Sequence, residues 1–156
     1  MSKMRIALFA GSFNPFTIGH KSVVDRALPL FDRIIIAIGV NSEKVDTDAD
    51  DLARRIRTIA TLYADEPAVE VYTYEGLTVD FAREMGAGFL LRGVRTVQDF
   101  EYERSLADVN RRISGLETVL LYTLPEHSSV SSSVVRELMY YGVDVSEYLP
   151  SADTIN

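Results

Sequence analysis

Gly11-Ser12-Phe13-Asn14-Pro15-Phe16-Thr17-Ile18-Gly19-His20 follows directly on the apolar run Ile6-Ala7-Leu8-Phe9-Ala10. Such a run reads as a strand covered on both faces, as in a parallel sheet. Gly11, Pro15 and Gly19 then impose an irregular turn before a helix that starts near Gly19. Ser12 and Thr17 offer hydroxyls, and His20 falls in the first helical turn, where free N–H groups and the helix dipole favour an anion. The loop reads either as a phosphate site or as an ordinary strand-to-helix connection with a structural histidine, and its spacing alone leaves both open.

The remainder of the chain supplies the context. Its 156 residues, 47% of them apolar, suit one compact domain spanning 1–156, with 151–156 as a loosely held tail. Sixteen basic against twenty-three acidic side chains give a net charge of −7, which argues against a general nucleic-acid or anionic-membrane surface. An anionic substrate must then be met by a local basic cluster. Cysteine is absent, so disulfides, zinc-thiolate sites and thiol nucleophiles are excluded. No apolar stretch approaches about 20 residues, and the expectation is a cytoplasmic protein without a membrane partner.

Further strands are expected at 33–40, 69–74, 89–91 and 117–123, each β-branched or apolar, with helices between them near 50–64, 77–85, 97–113 and 134–139. On the fourth helix, Tyr102, Leu106, Val109 and Ile113 have the spacing of a buried stripe. Its charges, Glu103 among them, read most simply as a solvated face. Strands alternating with helices define an α/β fold: a single-domain, dinucleotide-binding-like (Rossmann-type) arrangement with a five-stranded parallel sheet and helices on both faces.

In such a sheet every strand's carboxyl end faces one rim, and three candidate anion sites then share it. They are the loop 12–20, the cluster Arg92-Gly93-Val94-Arg95 after the fourth strand, and His127-Ser128-Ser129-Val130-Ser131-Ser132-Ser133 at a helix start. The polar segment carrying Lys44 belongs to the same rim. Arginines can hold phosphate oxygens in pairs, and a serine run at a helix start gathers hydroxyls and free N–H groups. The serine run also fits a flexible loop.

Thr17-Ile18-Gly19-His20 after a first strand resembles the Gly-His motif of the nucleotidyltransferases. More narrowly, Gly11-Ser12-Phe13-Asn14-Pro15, Arg92-Gly93-Val94-Arg95 with Asp99-Phe100-Glu101-Tyr102-Glu103, Ser131-Ser132-Ser133 and Asp144-Val145-Ser146-Glu147-Tyr148-Leu149-Pro150 resemble the phosphopantetheine adenylyltransferase family, in order and over nearly the whole chain. The resemblance implies adenylyl transfer from ATP to 4′-phosphopantetheine with Mg2+, giving dephospho-coenzyme A and pyrophosphate in coenzyme A biosynthesis. It also implies a homohexamer and coenzyme A as a feedback inhibitor. By matching motif positions, the catalytic residues would be His20, Lys44 and Arg92. ATP would be bound by Ser12, Phe13, His20, Gly93, Val94, Arg95, Glu103, His127, Ser128, Ser129, Val130, Ser131, Ser132 and Ser133. Ser12, Lys44, Thr78 and Arg92 would bind the second substrate; no protein ligand to the metal is implied. The sequence departs from the family pattern at Ser12 (usually Thr), at Asn14 (usually Asp), around Lys44, where it is slightly longer, and at His127 and Ser129 (commonly aromatic). The rival readings are a Gly-His enzyme acting on nicotinamide mononucleotide or using CTP, and a non-catalytic module that binds adenine nucleotide or coenzyme A.

Overall fold

The computed structural model describes residues 2–41 and 49–151. Five parallel strands, β1 (Ile6–Gly11), β2 (Arg33–Gly39), β3 (Val69–Tyr74), β4 (Phe89–Val94) and β5 (Glu117–Tyr122), form one sheet in the order β3-β2-β1-β4-β5. Helices α1 (Ile18–Ala27), α2 (Ala49–Leu62), α3 (Thr78–Glu84), α4 (Val97–Ser114) and α5 (Ser132–Tyr140) alternate with them or follow them.

The continuous apolar runs are explained by where their side chains go. On β1, Ala7 and Phe9 enter one core with Ile34, Ile36 and Ile38 of β2, and Val23, Val24 and Ala27 of α1 cover it. Ile6, Leu8 and Ala10 point the other way with Ile35 and Ala37, against Val79 and Ala82 of α3. Period-two alternation with both faces apolar forces helices onto both sides of the sheet. A third, smaller cluster of Val130, Val135 and Val145 seats α5 and the following turn on Ile18.

The chain grows outward from β1 through β2 to β3, and then crosses to place β4 on the opposite flank of β1. The crevice beyond the carboxyl ends of β1 and β4 is the topological switch point, where open α/β sheets bind ligands.

Two expectations are corrected. β4 does not stop at Leu91 but runs to Val94, because Arg92, Gly93 and Val94 pair in register with Leu120, Leu121 and Tyr122 of β5. Arg92 thus projects from a strand rather than a loop. On α4 the expected buried stripe is turned outward: Tyr102 is 64%, Val109 53% and Ile113 52% exposed. The residue that α4 buries is Glu103, which was expected on its solvated face, and its partner Arg92 explains why. A desolvated carboxylate matched by a guanidinium fixes which side of the helix meets the sheet.

Candidate active site

The loop between β1 and α1 places Phe13 at φ 47° and includes a cis Asn14-Pro15 bond. A left-handed residue with a side chain costs about 1–2 kcal/mol, and burial of a phenyl ring returns about as much or more. Phe13 is buried with its ring 5.1 Å from Phe9 and 5.3 Å from Phe16, so the ring anchors the turn. Gly11 permits that close packing, since a Cβ there would lie 3.1 Å from the Phe13 ring.

Thr17 caps α1 in a reciprocal box: its Oγ1 accepts from the His20 N–H at 3.4 Å, and its own N–H donates to His20 Nδ1 at 3.0 Å. Phe16 stacks on the imidazole at 5.4 Å, and Phe13 meets it edge-on at 5.1 Å. Burial first, and then the charges of Arg92 and Arg95, push the His20 pKa down to about 4. The ring is therefore neutral at pH 7. Its Nδ1 is used as an acceptor, which leaves Nε2–H as its donor.

Arg92 is gripped from two sides. Its Nε donates to both oxygens of Glu103 at 3.1 and 2.9 Å, Nη2 donates to Oε1 at 2.7 Å, and Nη1 donates to the Ala10 carbonyl at 2.7 Å. Burial works to lower its pKa, but the hydrogen bonds and charge of Glu103 outweigh it and hold the guanidinium above the ordinary arginine value. Three of its five N–H groups are committed, leaving two for a ligand. Gly93 allows α1 to approach β4, as a Cβ there would sit 3.0 Å from Val23 Cγ2. Beyond it, Thr96 caps α4 by accepting from the Asp99 N–H at 3.0 Å, and Asp99 accepts from the Arg95 N–H at 3.2 Å.

The end of the serine run, Ser131 to Ser133, forms a helix start, while Ser128 and Ser129 lie in the turn before it. Ser131 is the cap of α5 and accepts from the Val134 N–H at 3.2 Å, while Ser132 Oγ donates to the Pro15 carbonyl at 2.8 Å.

These three elements line one cleft of about 340 Å³ that brings together Ser12, Phe13, His20, Arg92, Gly93, Arg95 and Val130 to Ser133. Among the described residues no carboxylate is in its lining, and its two guanidiniums, Arg92 and Arg95, are each backed by a carboxylate outside it, Glu103 and Asp99. A second cavity of about 320 Å³ adjoins it, sharing Ala10, Gly11 and Arg92, and holds Thr78 and Glu103 with Tyr74, Tyr102, Leu106 and Asn110. The Thr118 hydroxyl in its wall is buried without a hydrogen-bond partner.

The structure does not gather every expected residue. Glu103 lies in the second cavity with its oxygens on Arg92. Val94 is buried, and His127, Ser128 and Ser129 stand in and after a 3-10 turn (Pro125–His127) outside the lining of the first cleft. His127 Nδ1 is buried and unpartnered. Lys44 lies outside the described residues. Sequence reading passed over Arg55 and Arg136, which donate to the carbonyls of Ser12 and Asn14. Of the cavity residues of α4 it passed over Ala107 and Asn110, and it assigned Tyr102 and Leu106 to a buried stripe.

A parallel sheet with an arginine-lined cleft at its switch point and a Gly-His helix start is the arrangement expected of a nucleotidyltransferase. In agreement, residues 8–138 match the cytidylyltransferase-like family. A bifunctional NMN adenylyltransferase/ADP ribose pyrophosphatase from Francisella tularensis shares the fold at 17% identity, with a TM-score of 0.69 over 97% of this chain and 46% of that one. Within the class the chain belongs to the phosphopantetheine adenylyltransferase family. It is 50% identical to the phosphopantetheine adenylyltransferase of Bacteroides thetaiotaomicron over 98% of this chain and 100% of that protein. It is 55% identical to that of Porphyromonas gingivalis, over 95% of each.

Proposed function

We propose that the chain transfers the adenylyl group of ATP to 4′-phosphopantetheine, releasing pyrophosphate and forming dephospho-coenzyme A. The observation that carries this reading is the pair of cavities meeting at Arg92, one lined by two arginines and bounded by helix starts, the other mixed in polarity. The first suits a triphosphate. The second alternates apolar walls with Asn110 and the free Thr118 hydroxyl, which suits an arm that alternates methylene and amide groups.

In this reading a phosphate oxygen of 4′-phosphopantetheine attacks the α-phosphorus of ATP as the bond to pyrophosphate breaks. The nucleophile is already ionised, so no general base is needed and the work is positioning anions in line. His20 Nε2–H donates to an α-phosphate oxygen as charge builds there. Arg92 sits between the cavities to hold the incoming phosphate, with Lys44 and Thr78 assisting it and Glu103 fixing its plane. Ser12, Phe13, Gly93, Arg95 and the segment 130–133, which line the first cleft, serve ATP.

Among the described residues the lining of the first cleft offers a magnesium ion hydroxyls but no carboxylate, and no group of three His, Asp or Glu side chains is placed to hold a metal ion. That donor set fits Mg2+ arriving on the triphosphate as part of the substrate better than an ion held by the protein. Among the described residues no helix is long and apolar enough to cross a membrane. Action in the cytoplasm, feedback by coenzyme A in the same cavities and a homohexameric assembly complete the proposal.

The test is incubation with ATP, Mg2+ and 4′-phosphopantetheine, with nicotinamide mononucleotide as a competing acceptor. Pyrophosphate and dephospho-coenzyme A are the expected products. Adenylylation of the mononucleotide alone, or no pyrophosphate from either acceptor, would overturn the assignment.

A further inference from the structure

The loop that carries the nucleotide wall has an unusual set of carbonyl partners. Among the described residues, the carbonyls of Ser12, Asn14 and Pro15 take no backbone N–H. Each takes a side-chain donor from a distant helix instead. Arg55 Nη1 of α2 donates to Ser12 O at 2.7 Å, Arg136 Nη1 of α5 donates to Asn14 O at 2.6 Å, and Ser132 Oγ of α5 donates to Pro15 O at 2.8 Å. Arg136 also donates through Nη2 to Ser133 Oγ at 3.3 Å, joining the loop to the serine wall. Arg55 is only 15% exposed and ion-pairs with Asp51, whose Oδ2 lies 3.1 Å from its Nε, although that Nε makes no hydrogen bond.

Both arginines line a cavity on the far side of this loop with Phe13, Asn14, Pro15 and Phe16, and neither lines the catalytic cleft. Holding the carbonyls from behind fixes the peptide planes of the segment that carries the Phe13 and Phe16 rings. Those rings clasp His20, and the Thr17 N–H that follows fixes its Nδ1.

We propose that Arg55 and Arg136 are positioning residues that brace the β1–α1 loop from the face opposite the substrate and thereby set the orientation of the His20 imidazole. A guanidinium is suited to this, because it stays charged and reaches a carbonyl in a fixed plane. The inference rests on the adenylyl-transfer reading for its effect on rate, but the geometry of His20 can be read independently of activity.

The experiment pairs steady-state kinetics on ATP and 4′-phosphopantetheine with an NMR titration of the histidines in the full chain. The sequence has only His20 and His127, so the second serves as an internal reference. Arg55→Ala and Arg136→Ala are expected to lower kcat about 10-fold or more, since small displacements of a catalytic group are costly. The KM values should change much less. Arg→Lys at either position should restore most of the rate. The His20 titration should move from about 4 toward the ordinary histidine value as its clasp loosens. Folded alanine variants with unchanged kcat, or a loss of kcat with the His20 titration unmoved, would overturn the proposal. If the alanine variants do not fold, Arg→Gln variants, which keep a shorter donor, are held to the same two outcomes. Wild-type protein that forms no dephospho-coenzyme A would instead sink the functional reading, while the titration still decides the brace.

Discussion

The Thr17 N–H donates to Nδ1 of His20, so the neutral ring carries its proton on Nε2 and can only donate from that atom. Loss of that donor in His20→Ala should lower kcat about 100-fold, the scale of removing one donor to a developing oxyanion, with KM for ATP little changed; steady-state assays check it. The same ring makes stability depend on acid. Its folded pKa of about 4 lies below the ordinary 6.5, so between these values the unfolded chain binds more protons than the folded one. Stability therefore falls as pH drops from about 6.5 to about 4, by on the order of 3 kcal/mol from this group alone. Urea unfolding of wild type and His20→Asn at pH 7 and 4.5 isolates it: the mutant should lose less stability than the wild type over that interval. An anion on Arg92 and Arg95 would offset their charges, so bound nucleotide should raise the His20 titration. His20 was legible in the sequence because a Gly-His helix start is a compact signal. Arg55 and Arg136 were not, because a donor to a loop carbonyl leaves no local pattern and its partner lies 43 or 122 residues away.

At the scale of elements, the cleft depends on how closely α1 lies along β4. Gly93 sets that distance, as a methyl group there would meet Val23 Cγ2 at 3.0 Å. Gly93→Ala should destabilise the protein by about 1–3 kcal/mol, the usual range for overpacking, and shift α1 with His20 on it. Val23→Ala removes the atom in the way. The double variant should therefore cost less than the sum of the two single changes, which denaturant midpoints for the four proteins of the cycle can measure. The strands and most helix bounds were legible because fully apolar, β-branched runs bounded by Gly and Pro have few other readings. The end of β4 was not. Arg92 breaks the apolar run, and only the β5 register together with the Glu103 partner across α4 explains a charged residue inside a strand. For the same reason the helical period misassigned α4. Tyr102, Leu106, Val109 and Ile113 have the spacing of a stripe, but periodicity does not say whether the covering surface belongs to the same chain.

At the scale of the whole molecule, that outward stripe bears on assembly. Val109 and Ile113 are each more than half exposed, and Phe100 is 40% exposed on the same helix. Single exposed apolar residues are ordinary, but several along one helix mark a surface that a partner covers. A second copy of this chain is the partner that the proposed homohexamer supplies. Because the stripe belongs to the helix that holds Glu103 against Arg92, covering it would also steady the wall between the two cavities. Light scattering should then give a mass near six times the 17.4 kDa chain. Val109→Asp with Ile113→Asp should dissociate it, as paired carboxylates in an apolar contact are costly to desolvate. These side chains are exposed in the single chain, so the separated subunits should keep their far-ultraviolet circular dichroism while losing activity. A wild-type mass of one chain, or an undiminished hexamer in the double variant, would remove α4 from the assembly surface.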